Sequence, residues 1–267
     1  MKEELIRMVM NFAHRGYSAK YPEDTMLAFE QAVRTPGCNG ISIDVQLSRD
    51  GVPVIIHDIT LDRTCLNMKG NVRLYTAEQL KKADVTGAFA GKVEPQYIPT
   101  LREYFEFIQP LGKKTIVELK CEVFEYEGIE KKVVDMIKEF GLEDYCIVAS
   151  CNHFAVKRVK ELAPEIKCGM LCHSWILDAG TYVKNAGCQC YMPNFSQCTA
   201  ENVKRIKDQG VDIMPWVVNT DFDCQHMLEV GVDAILSDDP EMVTKFRRIA
   251  EIESEYPMGM AVCGWAD

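Results

Sequence analysis

The chain has no run of about 18 or more apolar residues, so no segment can cross a bilayer as a helix, and no stable membrane insertion is expected. Basic charge is also scarce. Against 40 Asp and Glu stand 30 Lys and Arg, a formal net charge of −10 that leaves no footprint for nucleic acid. Residues 1–7 carry Lys2, Glu3, Glu4 and Arg7 and lack the apolar core of a signal peptide. Paired C-x-x-C spacings are missing too: Cys188-x-Cys190 and Cys168-x3-Cys172 do not suit a zinc knuckle. No low-complexity segment appears, and no glycine-rich turn follows the first apolar run.

What is present describes a globular chain. Its 267 residues are 47% hydrophobic and 26% charged, enough apolar content to exclude disorder and to fill one sizeable core. The length suits two small domains or one α/β barrel of about 250 residues. Several of the 12 cysteines, Cys146 and Cys168 among them, lie inside apolar runs. They are expected to be reduced, buried small hydrophobes, which suits a reducing cytoplasm.

Short apolar runs alternate with amphipathic stretches. The runs cover residues 9–13, 41–47, 115–119, 146–149, 167–171, 188–192, 212–217 and 233–236. Helical patterning covers 25–34, 129–140, 154–163, 200–209 and 241–252. Repeated strand–helix units demand parallel strands with right-handed crossovers, and eight of them predict a (β/α)8 TIM barrel. A doubly wound open sheet is the alternative. The rhythm breaks once. Residues 48–101 contain an extra strand at 52–56 and a long polar stretch, which reads as an insertion after the second strand, on the catalytic face of a single domain spanning 1–267.

In such a barrel the reactive groups gather where the strands end. The first strand delivers His14-Arg15-Gly16, the second Ser42-Ile43-Asp44, the third Glu118-Leu119-Lys120 and the seventh Trp216 to Asn219. Cations, carboxylates and a histidine thus meet on one rim. The run 42–56 reads as a hairpin turning on Asp50-Gly51, a two-residue signal that pairs Arg49 with Val52 and so sets Asp44 opposite His57. His153, His173 and His226 read as hydrogen-bonded turn residues. Asp24 and Asp239 read as helix N-caps, the latter ahead of Pro240.

The blocks His14-Arg15-Gly16, Pro22-Glu23-Asp24-Thr25, Asp44-Val45, Asp50-Gly51-Val52-Pro53-Val54, His57-Asp58, Leu61-Asp62-Arg63-Thr64, Ile98-Pro99-Thr100-Leu101 and Glu118-Leu119-Lys120 resemble the glycerophosphodiester phosphodiesterase family of the phospholipase C-like superfamily. Trp216-Val217-Val218-Asn219 and the run from Gly231 to Pro240 extend the resemblance over nearly the whole chain. It implies a TIM barrel that hydrolyses glycerophosphodiesters to glycerol 3-phosphate and an alcohol. His14 and His57 fall on the family's catalytic pair. Phosphodiester cleavage needs a base for the attacking hydroxyl and an acid for the leaving alkoxide, and histidine can serve as either near neutral pH. His14 is assigned to the base side and His57 to the acid side. Arg15 and Lys120 match phosphate ligands, and Trp216 a wall for the glycerol moiety.

The resemblance also implies a divalent metal, Mg²⁺ or Ca²⁺, held by a Glu-x-Asp pair on strand two and a glutamate on strand three. Asp44 and Glu118 are present, but Ser42 stands where the glutamate belongs. Fewer carboxylates mean a weaker site, which water, the substrate phosphate or Glu122 could complete. Asp24 stands where the family has asparagine. Two other readings stay open: a phospholipase C-like phosphodiesterase with a shifted substrate or little metal need, and a non-catalytic phosphate-ligand binding protein on the same scaffold. The partner in the first two cases is a small phosphodiester. The sequence says nothing about the alcohol headgroup or the oligomeric state.

Overall fold

The computed structural model describes residues 9–255. Eight strands form a parallel sheet: β1 (Met10–His14), β2 (Gly40–Leu47), β4 (Lys114–Leu119), β5 (Cys146–Ser150), β6 (Lys167–Cys172), β7 (Cys190–Pro193), β8 (Asp212–Ile213) and β9 (Ala234–Ser237). A short β3 (Pro53–Ile55) pairs antiparallel with β2, off the main path. The sheet runs β8-β7-β6-β5-β4-β2-β1-β9. Backbone bonds from Asp233 N to Ile213 O at 2.9 Å and from Leu236 N to Pro215 O at 3.1 Å carry the β8 segment across to β9. The expected (β/α)8 barrel is what the chain forms.

Helices follow the strands: α1 (Met26–Arg34), α2 (Ala77–Leu80), α3 (Leu101–Ile108), α4 (Ile129–Glu139), α5 (His153–Leu162), α6 (Ala179–Asn185), α7 (Ala200–Lys207), α8 (Asp221–Val230) and α9 (Pro240–Glu255). None among the described residues is long and apolar enough to cross a membrane. The first cap differs from expectation. Thr25, not Asp24, is the N-cap of α1, its side chain accepting from Ala28 N. Asp239 does cap α9, its Oδ1 accepting from Glu241 N and Met242 N. Of the strand expected at 212–217 only Asp212–Ile213 is regular, although Met214 N and Trp216 N still donate to Tyr191 O and Pro193 O.

Strand alternation makes two cores. Ile41, Ile43, Val45, Val117 and Leu119 point outward and pack with Phe29, Tyr104, Phe105, Val133 and Ile137 from the helices. Phe12, Ile116, Ile147, Leu171, Met192, Met214 and Leu236 fill the barrel. Gly40 sits at this crowding, where a Cβ would collide with Lys114 O and the Phe12 ring. The eleven cysteines described are free thiols, ten of them buried, and burial pushes Cys146, Cys168 and Cys190 up to about 12. They behave as the hydrophobes expected.

The β2–β3 hairpin corrects the expected register. Its partners are Val45–Ile55, Gln46–Val54 and Leu47–Pro53, and Ile56 N donates to Asp44 O at 2.8 Å, so Asp44 stands opposite Ile56 and not His57. The loop has three residues, Arg49, Asp50 and Gly51, closed by Ser48 N donating to Val52 O and Val52 N donating to the Ser48 hydroxyl. Gly51 takes the left-handed position at φ +75° that such a loop requires. Alternation could not have supplied the register either, because both faces of β3 are buried. Ile55 joins the outer core, while Val54 and Ile56 join a third core with Leu61, Val72, Leu80, Val85 and Ile98 inside the inserted segment.

Candidate active site

Inside the barrel the inward positions change character toward the strand ends. Phe12 gives way to His14 on β1, and Ile116 to Glu118 on β4; between them β2 turns Ser42 and Asp44 inward. Register pairs His14 with Ser42 and Asp44 with Glu118, so these side chains stand next to one another across three strands. Above them opens a cavity of about 340 Å³, with His14, Arg15, Ser42, His57, Glu118, Lys120 and Glu122 on one side. Cys151, Leu171, Met192, Trp216 and Leu236 form the opposite, largely apolar side.

His57 reaches this cavity although it is not cross-strand from Asp44, because β3 ends at Ile55 and the chain then turns over the rim. Gln46, fully buried on β2, fixes that turn. Its Nε2 donates to the carbonyls of Ile56 at 2.8 Å, His57 at 3.2 Å and Asp58 at 2.8 Å. Its Oε1 accepts from Tyr126 OH at 2.9 Å, so the amide is saturated and one orientation is selected.

Each histidine is backed by a carboxylate. His14 Nδ1 lies 2.7 Å from Asp238 Oδ1, and Ser18 Oγ and Asn219 Nδ2 also donate to Asp238, at 3.0 and 2.6 Å. Burial pulls Asp238 upward, but the hydrogen bond and charge of His14 hold it below the usual carboxylate range. His57 Nδ1 lies 2.7 Å from Asp58 Oδ1. That hydrogen bond outweighs burial and, with Arg63, holds Asp58 far below its ordinary value. Arg63 grips Asp58 through Nε at 2.7 Å and Nη2 at 3.0 Å, and Glu23 through Nη1 at 2.8 Å and Nη2 at 2.7 Å. Glu23 in turn accepts from Arg15 Nη1 at 3.0 Å. One ionic chain therefore links His57 to Arg15.

Arg15 is held in an uncommon conformation. Its φ is +57°, a left-handed value that costs a non-glycine residue about 1–3 kcal/mol. Arg15 N donates to Ser42 O at 2.8 Å and Arg15 O accepts from Asp24 N at 3.0 Å, which clamps the peptide from both sides. Its Nε lies 3.1 Å from Asp44 Oδ2. Asp24, also left-handed at φ +55°, is buried with neither carboxylate oxygen hydrogen-bonded. Burial first, then the charge of Asp44, pushes Asp24 well above the carboxylate range, while the Arg15, His57 and Lys120 charges overcome burial and keep Asp44 low.

Lys120 Nζ donates to Glu118 Oε1 at 2.7 Å and lies 3.1 Å from Glu122 Oε1. Burial and the neighbouring Asp44 charge push Glu118 up to about 7. Trp216 lines the cavity with its Nε1 tied to Met192 O at 2.8 Å. His173, read from sequence as an ordinary turn residue, also lines it and meets the Trp216 ring edge-on, centroids 4.8 Å apart. His153 is hydrogen-bonded as expected, to Tyr182 OH and Leu171 O, but as the first residue of α5 and not in a turn.

A divalent cation would draw on Asp44 and Glu118. Among the described residues no group of three or more His, Cys, Asp or Glu converges to hold an ion. The donor set is two adjacent carboxylates, with one buried oxygen, Asp44 Oδ2, that accepts no hydrogen bond. Two carboxylates leave the remaining oxygen ligands of a divalent cation to water and substrate phosphate.

The geometry sets two carboxylate-backed histidines on one cavity with Arg15 and Lys120. Residues 14–242 match the glycerophosphoryl diester phosphodiesterase family. The chain belongs to that family. Membership makes it a phosphoric diester hydrolase. It is 37% identical over 236 residues to a glycerophosphodiester phosphodiesterase of Caldanaerobacter subterraneus subsp. tengcongensis, covering 88% of this chain and 96% of the relative. A Bacillus altitudinis glycerophosphodiester phosphodiesterase is 37% identical over 243 residues, with 90% and 98% covered. Among solved structures, an Oleispira antarctica phosphodiesterase in complex with the product sn-glycerol-3-phosphate superposes with TM-score 0.79 at 28% identity, covering 90% of this chain and 96% of that one. A Silicibacter pomeroyi structure at 21% identity shares the fold with TM-score 0.84, over 94% of this chain and 98% of that one.

Sequence reasoning missed the two backing carboxylates. Asp238 lies at the C-terminal edge of β9, where the rule that active sites sit at strand ends would have found it. Asp58 follows His57 directly, yet its role depends on the Arg63 bridge, which no spacing announces.

Proposed function

We propose that this phosphodiesterase hydrolyses glycerophosphodiesters to glycerol 3-phosphate and an alcohol, with His14 as base and His57 as acid. The observation that carries the reading is the pair of histidines on one cavity, each with Nδ1 committed to a carboxylate and Nε2 left for substrate. The sn-glycerol-3-phosphate in the Oleispira relative supports the product.

Arg15 and Lys120 draw the phosphate into the charged side of the cavity, where a fork and a point charge spread over its oxygens. His14 Nε2 takes the proton of the attacking hydroxyl as that oxygen bonds to phosphorus. The attacker is water, or the substrate's own glycerol hydroxyl, in which case a cyclic phosphate forms that water then opens to glycerol 3-phosphate. The bond from phosphorus to the alcohol oxygen breaks, and His57 Nε2 delivers its proton to the departing alkoxide. The order follows from the backing groups. Apart from His14, Asp238 receives only neutral donors, so its full charge supports the cation that His14 becomes. Asp58 divides its charge between His57 and Arg63, which suits a group that gives its proton away. Trp216 walls the glycerol moiety. A Mg²⁺ ion on Asp44 and Glu118 would withdraw charge from the phosphoryl oxygens. Residues 48–101 belong to the barrel domain as an insertion that supplies His57.

The test is glycerol phosphate release from glycerophosphocholine, with Mg²⁺, with Ca²⁺ and with chelator. Turnover abolished in His14→Ala and in His57→Ala supports the reading. No turnover under any condition, or full activity in either variant, sinks it.

A further inference from the structure

We propose that substrate phosphate and a divalent cation bind this chain only together, and that Ser42 makes them interdependent. The inference rests on the phosphodiesterase reading above and goes to the order in which its ligands assemble. Every charge the site would offer a ligand is already matched within the chain. Asp44 faces Arg15, with Nε 3.1 Å from Oδ2, and Glu118 accepts from Lys120 at 2.7 Å. Lys120 has Glu122 as a second partner, 3.1 Å away. The Asp44, Glu118, Arg15 and Lys120 side chains are all less than a fifth exposed, so a partner taken away is not replaced by bulk water.

A cation arriving alone would have to push Arg15 or Lys120 off its carboxylate and leave a buried positive charge unmatched. A phosphate arriving alone would draw the same two residues away and leave Asp44 and Glu118, neighbours in register, as bare adjacent anions. Arriving together they exchange partners. The phosphate takes Arg15 and Lys120, the cation takes Asp44 and Glu118, and every charge stays paired. A carboxylate at position 42 would remove this interdependence, because a third anion could hold the cation before any phosphate came. Ser42 offers only a neutral hydroxyl, with His14 and Ile116 as its register neighbours. Asp44 Oδ2 accepts no hydrogen bond, so its pairing with Arg15 Nε at 3.1 Å rests on charge alone and can be exchanged for the cation. With two carboxylates the cation's remaining positions go to water and phosphate.

Calorimetry on the full chain tests this with Mg²⁺ and glycerol 3-phosphate as probes. Mg²⁺ is expected to bind at least about tenfold more tightly with saturating glycerol 3-phosphate than without it. Glycerol 3-phosphate should gain by the same factor from Mg²⁺, because binding linkage is reciprocal. Ser42→Glu should bind Mg²⁺ without phosphate and lose most of that factor, whereas the uncharged Ser42→Gln should not gain phosphate-independent binding. Equal Mg²⁺ affinity with and without glycerol 3-phosphate in the wild-type chain overturns the proposal, whether or not Ser42→Glu folds. Hydrolysis without coupling would refute this inference alone, while coupling without hydrolysis would refute the catalytic reading and leave this one standing.

Discussion

Replacing Asp238 by asparagine separates orientation from charge at the base. The native carboxylate serves three donors: His14 Nδ1 at 2.7 Å, Ser18 Oγ at 3.0 Å and Asn219 Nδ2 at 2.6 Å. An amide has one acceptor oxygen. Asn219 Nδ2 cannot accept, but the imidazole can change tautomer, and Ser18 Oγ, whose proton can go to His14 O at 2.7 Å, can accept in place of donating. The amide oxygen therefore takes the Oδ2 place with Asn219, and its NH₂ takes the Oδ1 place that His14 and Ser18 share. Nδ1 becomes the acceptor, the proton moves to Nε2, and the base loses its lone pair toward substrate. General-base catalysis contributes about 10²–10⁴ in rate, and each decade is worth about 1.4 kcal/mol. Asp238→Asn should thus lower kcat in glycerophosphocholine hydrolysis by about 10²–10⁴, roughly 3–5 kcal/mol of barrier, with KM within about threefold of wild type. Asp238→Ala leaves the tautomer free and should be less impaired than the asparagine variant. The Asp238 side chain is 33% exposed, so the fold should tolerate both changes with a melting shift of a few degrees. A kcat for Asp238→Asn within about threefold of wild type, or an alanine variant worse than the asparagine one, would refute the tautomer argument.

Arg63→Ala should lower kcat/KM by about 10-fold or more through loss of the bridge from Asp58 to Glu23, while thermal stability changes by less than about 1 kcal/mol because the pair is half exposed. Arg63→Lys should not restore activity, since a point charge cannot make both bidentate contacts. Glu118 gives a pH signature. Its folded value of about 7 lies above the ordinary carboxylate value of 4.5, so between these the folded chain holds a proton that the unfolded chain has lost, and stability falls as pH rises through that window. Melting curves in chelator should show a smaller decline from pH 5 to 7 in Glu118→Gln than in wild type; parallel slopes would contradict the shift. Leu61→Ala empties part of the insertion's core, at about 2–5 kcal/mol for a buried leucine. Hydrogen exchange should then accelerate in the inserted segment before the barrel strands, and uniform acceleration would deny that segment a core of its own.

Much of this was readable because parallel strands buried on both faces spell themselves as short apolar runs, as at 41–47 and 115–119. The inward set of β2 was also legible, since Ser42, Asp44 and Gln46 alternate with Ile41, Ile43, Val45 and Leu47. The hairpin register was not. Asp50-Gly51 announces a turn without saying whether Arg49 belongs to it, and a strand buried on both faces gives alternation nothing to choose between. The ion pairs were also beyond reach. His14 and Asp238 are 224 residues apart, and Asp24 looked like a cap because a carboxylate before a threonine is locally indistinguishable from one turned into a charged interior. Which of two adjacent polar residues caps a helix depends on a backbone conformation, here φ +55°, that only the surrounding clamp imposes.

The apolar plug of Phe12, Ile116, Met192 and Met214 has a consequence for traffic. It stoppers the barrel beneath the histidines, so molecules reach the reacting groups and leave them through the same mouth. On the function proposed above, glycerol phosphate still seated on Arg15 and Lys120 would bar the next diester. Product should therefore inhibit competitively, and the rate of a saturated enzyme should follow how fast the spent phosphate departs.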